Sequence, residues 1–287
     1  MTFQGDGSFG GGRVKTGGGR GKAVAGGGGV VGLIVVLVFV FSNGQIDLTG
    51  GGGGEPAAAE GTLGACSVEQ ANTDRACRLS ATAYALDTYW ESVVPDDFAK
   101  PEVDSFTNAV STGCGDATSA SGPFYCPPDA TIYLDVSFYD RLESQFGGED
   151  GPLAEEYVTA HEYGHHIQNI TGVMDQADRG GTGAKSDSVR VELQADCYAG
   201  MWVGDATETI NPVTKEPYLA RITAEQLKNA LGAAAAVGDD HIQEQSGSGV
   251  NPDSWTHGSS EQRQRWFTTG YEKGSLKACD TFAADTL

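Results

Sequence analysis

The stretch VTAHEYGHHIQN, Val158 to Asn169, holds three of the five histidines in a chain of 287 residues. His161 and His165 stand four positions apart, and Glu162 directly follows the first. On an α-helix, residues i and i+4 lie about 40° apart around the axis, at 3.6 residues per turn. Both imidazoles can therefore reach one ion, at about 2.0–2.1 Å for zinc. Glu162 then sits beside the ion, where a carboxylate can take a proton from water. His166, five positions after His161, is turned about 140° away. It is expected to face protein or solvent. Val158, Thr159, Ala160, Tyr163, Gly164 and Ile167 are uncharged, as a buried helix requires.

Two histidines do not complete a catalytic site, which takes three protein ligands and leaves one position open. The run SVRVELQADCYAGMWV, residues 188–203, places Glu192 and Asp196 at i and i+4 in an apolar setting. Unpaired carboxylates would be costly there. Glu192 is expected to ligate, and Asp196 to accept the second N–H of a ligating histidine and orient it. The metal set is thus His161, His165 and Glu192, the cofactor Zn2+, and the general base Glu162.

The chain carries 18 Lys+Arg against 39 Asp+Glu, a formal net charge of −21. That balance argues against nucleic acid as a partner, which needs basic patches. Many of the 42 glycines crowd into the first 54 residues, where no packed core is expected. Residues 1–22 are Gly-rich and basic. The segment 23–45 has no charge, and Ala23 to Phe41 gives 19 residues, close to the ~20 a bilayer needs. The expectation is one uncleaved transmembrane helix over 23–45, with a cytoplasmic tail at 1–22. A signal peptide cleaved near Ser42–Gly44 is the competing reading. Residues 46–62 read as a flexible linker, and 63–287 as one domain outside the cell membrane.

Six cysteines, all after the apolar segment, form an even set without CxxC pairs and point to disulfides in an oxidising compartment. Loop length favours Cys66–Cys77 and Cys114–Cys126, leaving Cys197–Cys279 as a long-range staple. Within the domain, residues 67–94 have helical spacing. Thr223 to Gln226 forms a capping box opening a helix that ends near Gly238. Thr131 to Asp135 reads as a strand, either the edge along which an extended substrate lies or ordinary sheet core. Helix dominates, with a few short strands.

Taken together, HEYGHHIQN, VELQADCYAG, GPFYCPPDATIYLD and SWTHGSSEQRQRWF make residues 60–287 resemble the bacterial neutral zinc metallopeptidases. The resemblance implies an α+β, zincin-like domain, mainly helical with a small sheet, similar to the gluzincin class. It implies hydrolysis of peptide bonds in a peptide or protein substrate. His257, in a turn before a helix capped by Ser259 or Ser260, is the candidate second donor to the reacting carbonyl oxygen. A loop histidine with a local hydrogen bond is its other reading. Two further functions compete: a metal-stabilised scaffold of the cell envelope, and a zinc hydrolase of a non-peptide amide. Oligomeric state is not legible.

Overall fold

The computed structural model describes residues 2–17, 61–146, 151–247 and 249–287. Short strands β1 (Ser8–Phe9), β2 (Lys15–Thr16), β3 (Gly61–Thr62) and β4 (Cys66–Ser67) precede the first helices, α1 (Val68–Thr73) and α2 (Arg75–Val93). The single helix expected over 67–94 is thus two. Asp74 leaves helical geometry, and its side chain accepts from the Cys77 amide to cap α2. Strands β5 (Glu102–Ser105), β6 (Ala109–Thr112), β7 (Gly115–Thr118), β8 (Phe124–Cys126) and β9 (Thr131–Leu134) follow. The remainder is helical: α3 (Phe138–Phe146), α4 (Pro152–Ile170), α5 (Val173–Gln176), α6 (Asp187–Asp205), α7 (Ala224–Ala236), α8 (Asp239–Gln245) and α9 (Ser260–Lys273). The domain is α+β with helix dominant, and the capping box expected at Thr223 and Gln226 opens α7.

The main sheet has the order β3-β2-β5-β9-β8. β2, β5 and β9 run parallel, while β8 runs antiparallel to β9. The strand at 131–134 is therefore internal, and the edges are β3 and β8. A separate hairpin, β6–β7, packs with β8 around Phe106, Val110, Ala117, Phe124 and Tyr133. Helices α4, α6 and α9 form the centre of the larger core.

Glycine sets how closely these helices meet. A Cβ on Gly164 of α4 would lie 3.1 Å from both the Cα and the carbonyl oxygen of Ala195 on α6. Larger residues would hold the two helices apart. The disulfides are Cys66–Cys77, Cys114–Cys126 and Cys197–Cys279, the pairs that loop length favoured.

The single-pass membrane anchor expected over 23–45 is withdrawn, and the cell-membrane location with it. That segment lies outside the described residues, as does the linker expected at 46–62 as far as residue 60. Among the described residues no helix is long and apolar enough to cross a membrane. The tail expected on the opposite side is also built into the domain. β2 pairs with β3 and β5, and Phe3, Phe9 and Val14 are buried. Arg13 grips the Asp87 carboxylate of α2 with two hydrogen bonds, at 2.9 and 2.8 Å. One crossing would put the tail and residues 63–287 on opposite sides of a bilayer. The packing of residues 2–17 against the domain forbids that.

Candidate metal centre

α4 starts with Pro152 at its first turn, where a missing amide proton costs nothing. Its residues from Leu153 to Gln168 are all buried, so the helix is enclosed on every side rather than amphipathic. The close approach at Gly164 brings α6 alongside, and with it Glu192. The ligand atoms of His161, His165 and Glu192 lie within 4.8 Å of one another, all buried. His161 Nε2 is 3.2 Å from Glu192 Oε2, and His165 Nε2 is 3.5 Å from Glu192 Oε1.

The surroundings decide which ring nitrogens are available. Asp196 Oδ1 lies 2.8 Å from His161 Nδ1. Gln168 Oε1 lies 2.9 Å from His165 Nδ1, while Gln168 Nε2 donates to the Val191 carbonyl and to Gln194. Both Nδ1 atoms therefore donate, which leaves both Nε2 lone pairs facing Glu192. His165 Nε2 and Glu162 Oε2 are buried with no hydrogen-bond partner. Buried polar atoms are seldom left so. Two imidazole nitrogens and a carboxylate, with one nitrogen orphaned, fit a zinc ion in donor type and number.

Asp196 is itself held hard. Arg263 of α9 donates to it through Nε at 2.8 Å and Nη2 at 2.9 Å, and the Tyr157 hydroxyl donates at 2.6 Å. Burial works against the Asp196 carboxylate, but Arg263 and His161 outweigh it and lower its pKa to about 2. Burial likewise opposes the His161 imidazolium, and without an ion Asp196 and Glu192 overcome it to raise its pKa to about 10, so metal binding must displace the Nε2 proton. Glu192 falls well below the usual carboxylate range, because the two histidines more than offset its burial. Burial pushes Glu162 up, with the histidines opposing.

These groups share one cleft. Its polar side is formed by His161, Glu162, His165, Glu192, His257 and Arg263, and its apolar side by Pro123, Phe138, Val158 and Val237. Its volume of about 40 Å3 holds an ion and a few waters, at roughly 10–15 Å3 per water. His257 reaches the cleft from the loop before α9. Asp239 Oδ2 accepts the amides of Thr256, His257 and Gly258 at 2.8, 2.7 and 2.9 Å, clamping that loop. His257 Nδ1 lies 3.0 Å from Thr256 Oγ1 and 3.3 Å from Asp239 Oδ1. Burial opposes its imidazolium, but Asp239 and Glu192 raise its pKa.

The structure thus gathers every residue that the sequence nominated for the centre: His161, Glu162, His165, Glu192, Asp196 and His257. Sequence reasoning missed Tyr157, Gln168 and Arg263. Arg263 lies within SWTHGSSEQRQRWF, where its alternation with Gln262 and Gln264 hides a buried cation. Tyr157 carried a signal, standing at i−4 from His161 on the same helix face.

The chain is 50% identical over 211 residues to an uncharacterised protein of Mycobacterium tuberculosis, covering 74% of this chain and 72% of the relative. It is 38% identical over 267 residues to the uncharacterised protein YpfJ of Escherichia coli, covering 90% and 88%. No solved structure matches it. A sequence model described as "Putative neutral zinc metallopeptidase" matches residues 5–282, and the chain belongs to that family of zinc metallopeptidases.

Proposed function

We propose that this protein hydrolyses peptide bonds, with His161, His165 and Glu192 holding zinc and Glu162 acting as general base. The observation that carries the reading is the buried Glu162 carboxylate. It has one oxygen without a partner and lines the same cleft as the three ligand residues. A scaffold has no use for a free carboxylate there. Zinc in such a site supplies a Lewis acid that polarises a carbonyl and lowers the pKa of water toward ~7.

The chain's own groups do the rest. Glu162, lifted by burial, takes the proton of the attacking water and passes it to the leaving amine. His257, whose protonated form Asp239 favours against burial, donates to the carbonyl oxygen as negative charge develops there. Asp196, Arg263 and Tyr157 fix the His161 ring, and Gln168 fixes His165. Pro123, Phe138, Val158 and Val237 give the cleft an apolar wall, suited to an amino-acid side chain. Three disulfides support folding in an oxidising compartment.

The test is hydrolysis of an unstructured protein by the purified, zinc-loaded chain, beside a panel of non-peptide amides. Cleavage of peptide bonds that a chelator stops, with Glu162→Gln slower by about 10^2–10^4-fold, is the expected result. Turnover confined to non-peptide amides would move the substrate class. Full activity in Glu162→Gln would remove the mechanism.

A further inference from the structure

The two histidines of the metal set are held by partners of different kinds. His161 Nδ1 meets a carboxylate, Asp196, which presents an oxygen whichever way it turns. His165 Nδ1 meets the side-chain amide of Gln168 at 2.9 Å. An amide accepts at one end and donates at the other, and the two ends have nearly the same shape. Turned over, Gln168 would set an N–H against His165 Nδ1. That nitrogen would then have to accept, and the ring proton would pass to Nε2, the atom facing Glu192. The ring would fill the same space without the lone pair that zinc requires.

The Gln168 amide is fixed from α6 and beyond. Gln168 is buried, and its Nε2 donates to the Val191 carbonyl at 2.8 Å and to Gln194 Oε1 at 3.0 Å. A main-chain carbonyl only accepts, but Gln194 is itself an amide that could turn over. The Cys279 carbonyl settles it by accepting from Gln194 Nε2 at 3.1 Å. The order is then one-way. Cys279 accepts from Gln194, Gln194 from Gln168, and Gln168 from His165. All of these side chains are buried, where each bond in such a chain strengthens the next. The Cys279 carbonyl is held in turn by the disulfide to Cys197, three residues after Gln194 on α6. Arg190 of the same helix donates through Nη1 to the carbonyls of Thr281 and Ala284. One helix thus carries Glu192 and clamps the C-terminal segment that orients a histidine of another helix.

We propose that Gln194 is a positioning residue for the zinc centre. Together with the Cys279 carbonyl it locks the Gln168 amide, and through it the His165 tautomer that bares Nε2. The inference rests on the ligand set proposed above and makes that set depend on the Cys197–Cys279 disulfide.

The test measures the zinc affinity of the purified full chain by chelator competition. The His165 tautomer is read by nitrogen NMR of the metal-free, histidine-labelled chain at alkaline pH. Gln194→Met, similar in length and without an amide, is expected to bind zinc roughly 3–10-fold more weakly, less than the 10–100-fold typical of a direct partner. Its His165 ring should show both neutral tautomers, where the wild type shows the Nδ1–H form alone. Cys197→Ala with Cys279→Ala should repeat the weakening. Cys66→Ala with Cys77→Ala, which breaks a disulfide outside this chain of bonds, should bind zinc as the wild type does. Circular dichroism checks that each variant is folded, and if the first cysteine pair is not, Gln194→Met decides alone. Unchanged zinc affinity in Gln194→Met, or a loss with the tautomer unchanged, would overturn the proposal. So would equal losses from the two folded cysteine pairs. A wild type that binds no zinc removes the ligand set and this inference with it. A wild type that binds zinc beside an indifferent Gln194→Met removes this inference alone.

Discussion

Asp196 shows how much one carboxylate can hold in place. It accepts from His161, Tyr157 and both arms of Arg263, with 0% exposure. Asp196→Asn is expected to weaken zinc affinity about 10–100-fold, measured by chelator competition, because the His161 ring loses its orienting charge. Glu156, one turn before the ligands, makes a different prediction. Burial raises its pKa to about 8, against the help of Thr2 and Arg78, and its Oε2 has no partner. Its folded pKa lies above its unfolded value of about 4.3, so the folded state binds the extra proton between them. Stability should therefore decline as pH rises from about 4.3 to 8, by up to ~1.4 kcal/mol per unit. Glu156→Gln should flatten that slope in denaturant titrations across the window. The five nominated residues from His161 to Asp196 were legible because helical spacing alone puts them on common faces. Arg263 was not, since it meets Asp196 across 67 positions.

At the scale of elements, the approach of α4 to α6 is the one that matters for the centre. Gly164→Ala would set a Cβ 3.1 Å from the Ala195 backbone, so α6 must give by a few tenths of an ångström to admit it. Gly164→Val should cost more, about 1–3 kcal/mol, and lower zinc affinity as α6 carries Glu192 away. Thermal unfolding and zinc titration of both variants check this. The same scale shows where local signals suffice. Thr223 and Gln226 announce α7 through a capping box that needs no distant partner. The residues at 131–134 announce a strand but not its place, because sheet order is set by pairings far along the chain. The edge beside it fell to β8, whose three residues carry little pattern of their own.

Over the whole molecule, the N-terminal segment is the part that composition misread. Glycine and charge in residues 1–22 spoke against a packed role, while Phe3, Phe9 and Val14 enter the core and Arg13 binds Asp87. Asp87 also accepts from Tyr163 of the metal helix at 2.9 Å, so the segment bears on α4 through one intermediary. Arg13→Ala is expected to destabilise the fold by roughly 1–3 kcal/mol, since Asp87 stays buried with a partner lost. Faster proteolysis and a lower Tm would register it. The central claim is the ligand set, and metal analysis of the purified chain tests it most directly. The wild type and His166→Asn should each carry one zinc per chain, and Glu192→Ala should lose it on dialysis against a weak chelator. A wild type without stoichiometric zinc, or a Glu192→Ala chain that retains it as firmly as the wild type, would contradict the assignment.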